Sequence, residues 1–168
     1  GCHLVLWDEA ERVGVPMAAS GVLRGVYGRE RPRPGEMTLT ESSLRAGRPV
    51  TVEDCLNTPY ISPEIAKDCP YLSMLGVPLI AGQRWIGAAL LAYRERHAFD
   101  EDEIALCEQA GGQVALALAK VQAYEAERQH RNELEGLRRA SLRLTSTLEL
   151  QPVLEALLDE ALHLVEAY

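Results

Sequence analysis

The N-terminal part of the chain alternates between short apolar runs and polar connections, a pattern typical of β-strands. Cys2–Trp7 and Val13–Ser20 are strand-length runs separated by a polar stretch. A brief third strand is predicted in "PVTVED", and two longer ones in "MLGVPLIAGQRWIGAALLAYRE". That last stretch holds Pro78 and Gly87 inside its apolar runs, where proline removes a hydrogen-bond donor and glycine removes a packing side chain. Such residues favour an edge, a bulge or a close approach of backbones.

Two short helices are predicted between these strands. The first runs from Thr40, as N-cap, to Ala46, and Gly47 ends it. The second lies in "SPEIAKD", with Ser62 as N-cap and Pro63 in the first helical position.

The hydrophobic period changes to that of a helix after the last strand. Asp100 as N-cap and Glu103 three residues later form a capping box, which predicts a long helix over Glu101–Leu148. Gly111 and Gly112 each cost about 1 kcal/mol relative to alanine inside a helix. We therefore expect them to let this helix lie close to a sheet or to another helix.

The second half of the long helix carries apolar residues at alternating spacings of three and four. Such a heptad seam predicts pairing with a second copy of the chain, in parallel or antiparallel orientation. The alternative is one amphipathic helix that folds back on its own domain. The seam consists of Leu134, Leu137, Ser141, Leu144 and Leu148.

The final segment, Pro152–Tyr168, has a further apolar stripe that must be covered.

Composition excludes several classes of protein. An apolar fraction of 47% in 168 residues predicts a globular protein with a real core. The net charge of -8 argues against a nucleic-acid partner, because lysines and arginines supply that affinity. The apolar runs are about half the ~20 residues that cross a bilayer, and no signal peptide opens the chain. We expect a cytoplasmic protein with no membrane partner.

Cysteines and histidines show no recognisable metal or disulfide pattern. Cys2, Cys55, Cys69 and Cys107 contain no CxxC pair, so neither a zinc site nor a secreted disulfide framework is predicted, and buried free thiols are the expectation. The four histidines also lack metal-ligand spacing. His130 resembles a kinase phosphoacceptor only weakly, because Arg131 follows it, and is interpreted as a solvated position.

The ordered motifs "AGRPVTVED", "SPEIAKD", "GVPLIAGQRWIGAALL" and "HAFDEDEIALCEQAGGQVALALAKVQ" resemble those of a GAF domain. The resemblance covers Gly1 to about Gln122. It implies an α+β, profilin-like fold with a central antiparallel sheet of about six strands, flanked by helices and followed by a long C-terminal signalling helix. One sheet face and its loops would enclose a small-molecule pocket. The resemblance further implies that Pro78 and Gly87 shape the core beside that pocket.

Three regions follow from this resemblance. Residues 1–122 are expected to form a GAF domain lacking its first helix, and residues 123–150 a helical linker or coiled coil. Residues 151–168 resemble the first helix of a following GAF unit, as in a slice of a tandem array. A straight helix over Glu101–Leu148 would be about 70 Å long. We therefore expect the last segment to dock on another copy as a domain swap, although docking in cis stays open.

The resemblance implies a noncatalytic regulatory sensor of a bacterial-type signal-transduction protein. It would act as a homodimer upstream of an output domain such as a kinase, cyclase or phosphatase. Cyclic GMP is disfavoured because the family's asparagine-lysine pair is missing, and bilin attachment because Pro70 follows Cys69. The ligand and any cofactor stay unknown. The alternatives are a purely structural dimerisation module or a free methionine-R-sulfoxide reductase. For the reductase, Cys69 lies in the expected region but serines occupy the place of a second cysteine.

Four side chains are predicted to be the polar groups nearest a ligand, because they lie between "TVED" and "GVPL": Asp54, Tyr60, Tyr71 and Ser73. Pockets of this kind combine an apolar wall with a few convergent polar groups. The alternative reading is that Asp54 caps a turn and that the tyrosines are partly exposed packing residues. No catalytic residue and no metal ligand is predicted.

Overall fold

The computed structural model describes residues 1–20, 32–33, 35–147, 155, 157–160 and 162–163, and side chains of the long helix through residue 142. The chain divides into two compact units, Gly1–Val121 and Gln122–Tyr168.

In the described part of the first unit, five strands form one antiparallel sheet, against about six expected from the sequence. The order across the sheet is β2-β1-β5-β4-β3, so the first strand pairs with the last and the β4–β5 hairpin occupies the middle. The strands are β1 (Cys2–Asp8), β2 (Val13–Ser20), β3 (Val50–Val52), β4 (Ser73–Ala81) and β5 (Arg84–Tyr93).

The helices with defined bounds among the described residues are α1 (Leu39–Ala46), α2 (Pro63–Asp68) and α3 (Glu101–Thr147). The expected N-cap of α1, Thr40, is wrong. Thr38 caps the helix and accepts a hydrogen bond from the Glu41 amide at 3.1 Å, while Thr40 is buried within the helix. The physical reason is position: Thr38 immediately precedes the first helical residue, where its side-chain oxygen reaches the Glu41 amide, whereas Thr40 lies inside the first turn.

The predicted end of α1 is confirmed. Gly47 adopts a left-handed conformation, φ 64°, and its amide donates to the carbonyls of Ser43 and Leu44. Pro63 begins α2 as expected, although Ser62 makes no side-chain capping bond.

The two faces of the sheet carry separate cores. On one face, α1 and α2 cover a cluster that includes Val5, Met74 and Leu90. On the other face, α3 packs through Ala115 against Leu79 and Ile86. Strands β4 and β5 are therefore buried on both sides, which explains their nearly continuous apolar sequence.

Close approach of backbones explains the glycines in the hairpin and the long helix. Gly87 in β5 has φ 155°, and a Cβ there would collide with the carbonyl of Val5 in β1. A Cβ at Gly111 would lie 2.6 Å from Cγ1 of Val77, so α3 packs on β4 at this point. Gly112 has open space around it. Pro78 lies within β4 opposite Ala88, one residue before the register shifts.

The second unit presents an apolar seam on α3. Leu134 and Leu137 of this seam are exposed, and the helix continues through Gly136. The seam's Leu144 side chain and Leu148 lie outside the described residues, as does most of Pro152–Tyr168. Within that segment Leu157, Leu158 and Leu162 are exposed.

Among the helices that the structure describes, none is long and apolar enough to cross a membrane.

Gly111→Ala and Gly112→Ala make a matched test of the contact between α3 and the sheet. Gly111→Ala overpacks the Val77 contact and should lower the free energy of unfolding by about 1–2 kcal/mol. Gly112→Ala meets no neighbour and should raise it by about 0.5–1 kcal/mol, because alanine favours the helix. Urea unfolding of both variants checks this, and equal stabilisation by the two would contradict the close packing.

Candidate functional site

Two loops lie side by side where β4 begins, and we call residues 53–57 and 69–73 the paired loops. The Cys55 amide donates to the Leu72 carbonyl at 2.9 Å. The Ser73 hydroxyl donates to the Glu53 carbonyl at 2.8 Å. These two bonds hold the end of β3 and the start of β4 in one arrangement.

Ser73, one of the four predicted site residues, is completely buried. Besides donating to Glu53, its hydroxyl accepts a hydrogen bond from the His97 amide at 3.0 Å. A hydroxyl offers one donor and two acceptor sites, and these bonds occupy the donor and one of the acceptor sites of Ser73. It anchors three segments of the chain.

Asp54 organises a turn within the first of the paired loops. Its carboxylate accepts hydrogen bonds from the Leu56 amide at 3.0 Å and from the Asn57 side chain at 2.9 Å. Arg96 lies 3.8 Å away. The hydrogen bond from Asn57, followed by that from Leu56, lowers the pKa of Asp54 below its usual range. The Asp54 side chain is therefore ionised at neutral pH.

Tyr60 lies next to α1 and is exposed. Its carbonyl accepts a hydrogen bond from the Ser42 hydroxyl at 2.8 Å, and its amide donates to the Thr58 hydroxyl at 3.3 Å. Tyr60 thus bonds to α1 and to its own loop. Asp54, Tyr71 and Ser73 share the paired loops.

Tyr71 is the one predicted site residue whose side chain lies within the core of the α1–α2 face. Its ring packs edge to face on His3 in β1, with centroids 6.2 Å apart. The phenolic oxygen is buried and has no hydrogen-bond partner among the residues that the structure describes. Burial also raises the pKa of Tyr71, so the group is a neutral hydroxyl.

His3 is a buried titratable group on the same face. Only 1% of the residue is exposed. Burial lowers the pKa of His3 from its ordinary 6.5 to about 4, because the charged ring loses its hydration. His3 is neutral at physiological pH.

Cys55 and Cys69 meet across the paired loops, which the sequence pattern did not indicate. The Cys55 thiol donates a hydrogen bond to the Cys69 sulfur, and the Tyr71 amide donates to the same atom. These bonds lower the pKa of Cys69 to about 7, and the pKa of Cys55 is raised, first by its hydrogen bond to Cys69 and further by burial. The Cys69 sulfur also lies 3.8 Å from that of Met74. The two thiols are free.

An aromatic and acidic cluster connects the sheet to the first turn of α3. The His97 ring stacks on Tyr93 with centroids 4.0 Å apart, and Phe99 packs edge to face on both. His97 Nε2 lies 2.8 Å from one oxygen of Glu103, and the Tyr93 hydroxyl donates to the other at 3.1 Å. The Glu103 amide bonds to Asp100 as the capping box requires, whereas its carboxylate joins this cluster.

No group of three or more histidine, cysteine or acidic side chains in the described part of the chain is arranged to hold a metal ion.

Comparison with known proteins identifies the architecture. The sequence model of the GAF domain family matches residues 1–119. The GAF domain of a phosphoenolpyruvate-protein phosphotransferase from Coxiella burnetii is 25% identical, covers 74% of each chain and has a TM-score of 0.63. The GAF domain/HD domain protein from Geobacter sulfurreducens is 22% identical, with 73% of this chain and 81% of that chain covered and a TM-score of 0.63.

A more distant likeness is to the free methionine-R-sulfoxide reductase from Neisseria meningitidis, solved with its substrate. It is 25% identical, covers 77% of this chain and 68% of that chain, and has a TM-score of 0.52. No curated protein matches the sequence significantly.

Tyr71→Phe and Tyr124→Phe remove the same hydroxyl from a buried and an exposed site. Tyr71→Phe should raise the free energy of unfolding of the ligand-free protein by about 1 kcal/mol, because a buried hydroxyl without a partner costs roughly 1–3 kcal/mol. Tyr124 is exposed on α3, so its variant should change stability by less than about 0.5 kcal/mol. Chemical denaturation measures both, and destabilisation by Tyr71→Phe would show that the hydroxyl already has a partner.

Acidification should destabilise the fold through His3. The unfolded chain binds a proton at this ring near pH 6.5 and the folded chain only near pH 4, so stability decreases as the pH falls between these values. The contribution lost between pH 7 and pH 5 is about 2 kcal/mol. Urea unfolding at several pH values should show a shallower pH dependence for His3→Phe than for the wild type. His130→Phe, at an exposed site, should keep the wild-type slope, and an unchanged slope in His3→Phe would refute the assignment.

Proposed function

The chain belongs to the GAF domain family, and from this we propose that it is a noncatalytic regulatory sensor module of a bacterial-type signal-transduction protein. In this proposal a small molecule binds on the α1–α2 face of the sheet, and α3 carries the response to an output domain. The Coxiella burnetii relative is a GAF domain of a phosphotransferase, which supports a place in a signalling protein.

Tyr71 gives the proposed ligand site its polar centre. The cluster around it is apolar apart from a few groups, as expected for a small-molecule site. A ligand with a hydrogen-bond acceptor would satisfy the buried hydroxyl. Asp54 and Tyr60 are proposed at the rim of the same site, while Ser73 holds the wall in place.

The observation that carries the proposal is a continuous set of hydrogen bonds from the paired loops to α3. Ser73 connects the Glu53 carbonyl to the His97 amide, and the His97 ring meets Glu103 in the first turn of α3. A ligand that displaces the loop at Glu53 would therefore act on residues that hold the start of the helix. Such contiguous contacts are the physical means by which one site biases another.

We further propose that α3 pairs two copies of the chain through its heptad seam. Leu134 and Leu137 of the seam are exposed, and burying leucine side chains is favourable by roughly 1.5–3 kcal/mol each. Docking of the segment at residues 151–168 on another copy stays part of this proposal.

A structural dimerisation module is the alternative within the same family. It would have the seam but no ligand. The two are separated by whether the purified protein holds a small molecule.

Native mass spectrometry of protein purified without added ligand tests the proposal. We expect a dimer that retains a small molecule, with the retained fraction reduced at least several-fold in Tyr71→Phe and unchanged in Tyr124→Phe. Leu137→Glu should give a monomer at tens of micromolar, whereas Asn132→Glu places the same charge on the opposite side of the helix and should stay dimeric. A dimer without any bound molecule favours the structural module, and a monomer unaffected by Leu137→Glu contradicts the pairing.

A further inference from the structure

The fold brings together two cysteines, Cys55 and Cys69, that form no recognisable motif in the sequence. Cys55 and Cys69 lie on opposite members of the paired loops, which the Cys55 amide and the Ser73 hydroxyl tie together. Both side chains belong to or pack against the core cluster of the α1–α2 face, where the two thiols are neighbours. The main-chain bonds hold this contact independently of the thiols, so the pair is built into the loop structure.

The two thiols differ in exposure and in hydrogen bonding. Cys55 is 1% exposed, whereas Cys69 is only partly buried. The Cys69 sulfur accepts bonds from the Cys55 thiol and the Tyr71 amide, which stabilise its thiolate. A partly exposed, stabilised thiolate beside a second thiol is the arrangement that oxidants attack selectively.

We propose that Cys55 and Cys69 form a redox-active dithiol that a hydroperoxide converts to an intramolecular disulfide. Cys69 is the attacking residue and Cys55 the resolving residue. This inference does not depend on the ligand site or on dimerisation.

The chemistry proceeds in two steps. The Cys69 thiolate attacks the terminal oxygen of the hydroperoxide, so an S–O bond forms, the O–O bond breaks, and the leaving oxygen takes up a proton to give an alcohol or water. The Cys55 sulfur then attacks the Cys69 sulfenic acid, so the S–S bond forms and the S–O bond breaks. The departing hydroxide takes the Cys55 proton and leaves as water. Two thiols and one hydroperoxide thus give one disulfide, one alcohol and one water.

The disulfide would join the paired loops covalently next to Tyr71. Cys69 is already bonded to the Tyr71 amide, so oxidation acts on the segment that positions this side chain. A dithiol reductant would restore the free loops.

Peptide mapping of the wild-type protein tests the inference without any substitution. The full chain is treated with stoichiometric hydrogen peroxide, blocked with an alkylating agent and digested with trypsin. Cleavage after Lys67 places Cys55 and Cys69 in different peptides. We expect one cross-linked pair of these peptides, lighter by two hydrogens and separated by dithiothreitol, while Cys2 and Cys107 are alkylated. The pKa values of Cys2 and Cys107 are raised, opposite to that of Cys69, which makes these two residues internal controls.

Kinetics assign the roles of the two thiols. Oxidation should be about tenfold slower at pH 6 than at pH 8, as the thiolate fraction of Cys69 requires. Cys55→Ser should accumulate a Cys69 sulfenic acid that a dimedone-type probe traps, and Cys69→Ser should lose the reaction. The Cys2→Ser and Cys107→Ser variants should react as the wild type does.

Three results would overturn the inference: a disulfide between chains only, oxidation of Cys2 or Cys107 before the pair, or two thiols that stay reduced at stoichiometric peroxide. Free methionine-R-sulfoxide serves as a parallel oxidant. Catalytic turnover of that compound would contradict the noncatalytic function, whereas the result with peroxide decides the dithiol assignment by itself.

Discussion

The arrangement of the first unit depends most directly on the two hydrogen bonds of the buried Ser73 hydroxyl. It satisfies the Glu53 carbonyl and the His97 amide, which lie 20 and 24 residues away along the chain. Losing it would leave two main-chain groups without this partner, and an unsatisfied buried group costs roughly 1–3 kcal/mol. The loop after β3, the start of β4 and the entry to α3 therefore share one anchor. A displacement of any one of these segments would strain or break a hydrogen bond to Ser73 and so affect the other two.

Local patterns in the sequence were sufficient for the elements themselves. The hairpin, the αL end of α1 at Gly47 and the start of α3 after Asp100 depend on neighbouring residues, and each forms as predicted. The N-cap of α1 is the exception. Both Thr38 and Thr40 are suitable N-cap residues by type, and Thr38 is the one whose side chain caps the helix. The bonds of Ser73 depend instead on segments that meet only in the folded sheet. No residue spacing along the chain predicts these hydrogen bonds.

The site shows the same division between local and long-range information. Asp54 bonds mainly within its own loop, as the turn interpretation of that residue anticipated. The spacing of the cysteines along the chain does not indicate the proximity of Cys55 to Cys69, because that proximity arises from hydrogen bonding between the paired loops. Glu103 was interpreted as a capping residue only. Its carboxylate meets His97 and Tyr93 because the aromatic stack brings both polar atoms to the start of α3.

Folding and the proposed ligand binding make opposite demands on Tyr71. Phenylalanine would fill the same volume without a buried hydroxyl that lacks a described partner, so the tyrosine is the costlier choice for the ligand-free fold. A ligand acceptor at this oxygen would recover the lost hydrogen bond, and its gain would be large because the surroundings are apolar. The amide of the same residue bonds to the Cys69 sulfur. Under the two proposals, Tyr71 would respond both to a ligand on the sheet face and to the oxidation state of the paired loops, and the hydrogen bonds of Ser73 would link that response to the start of α3.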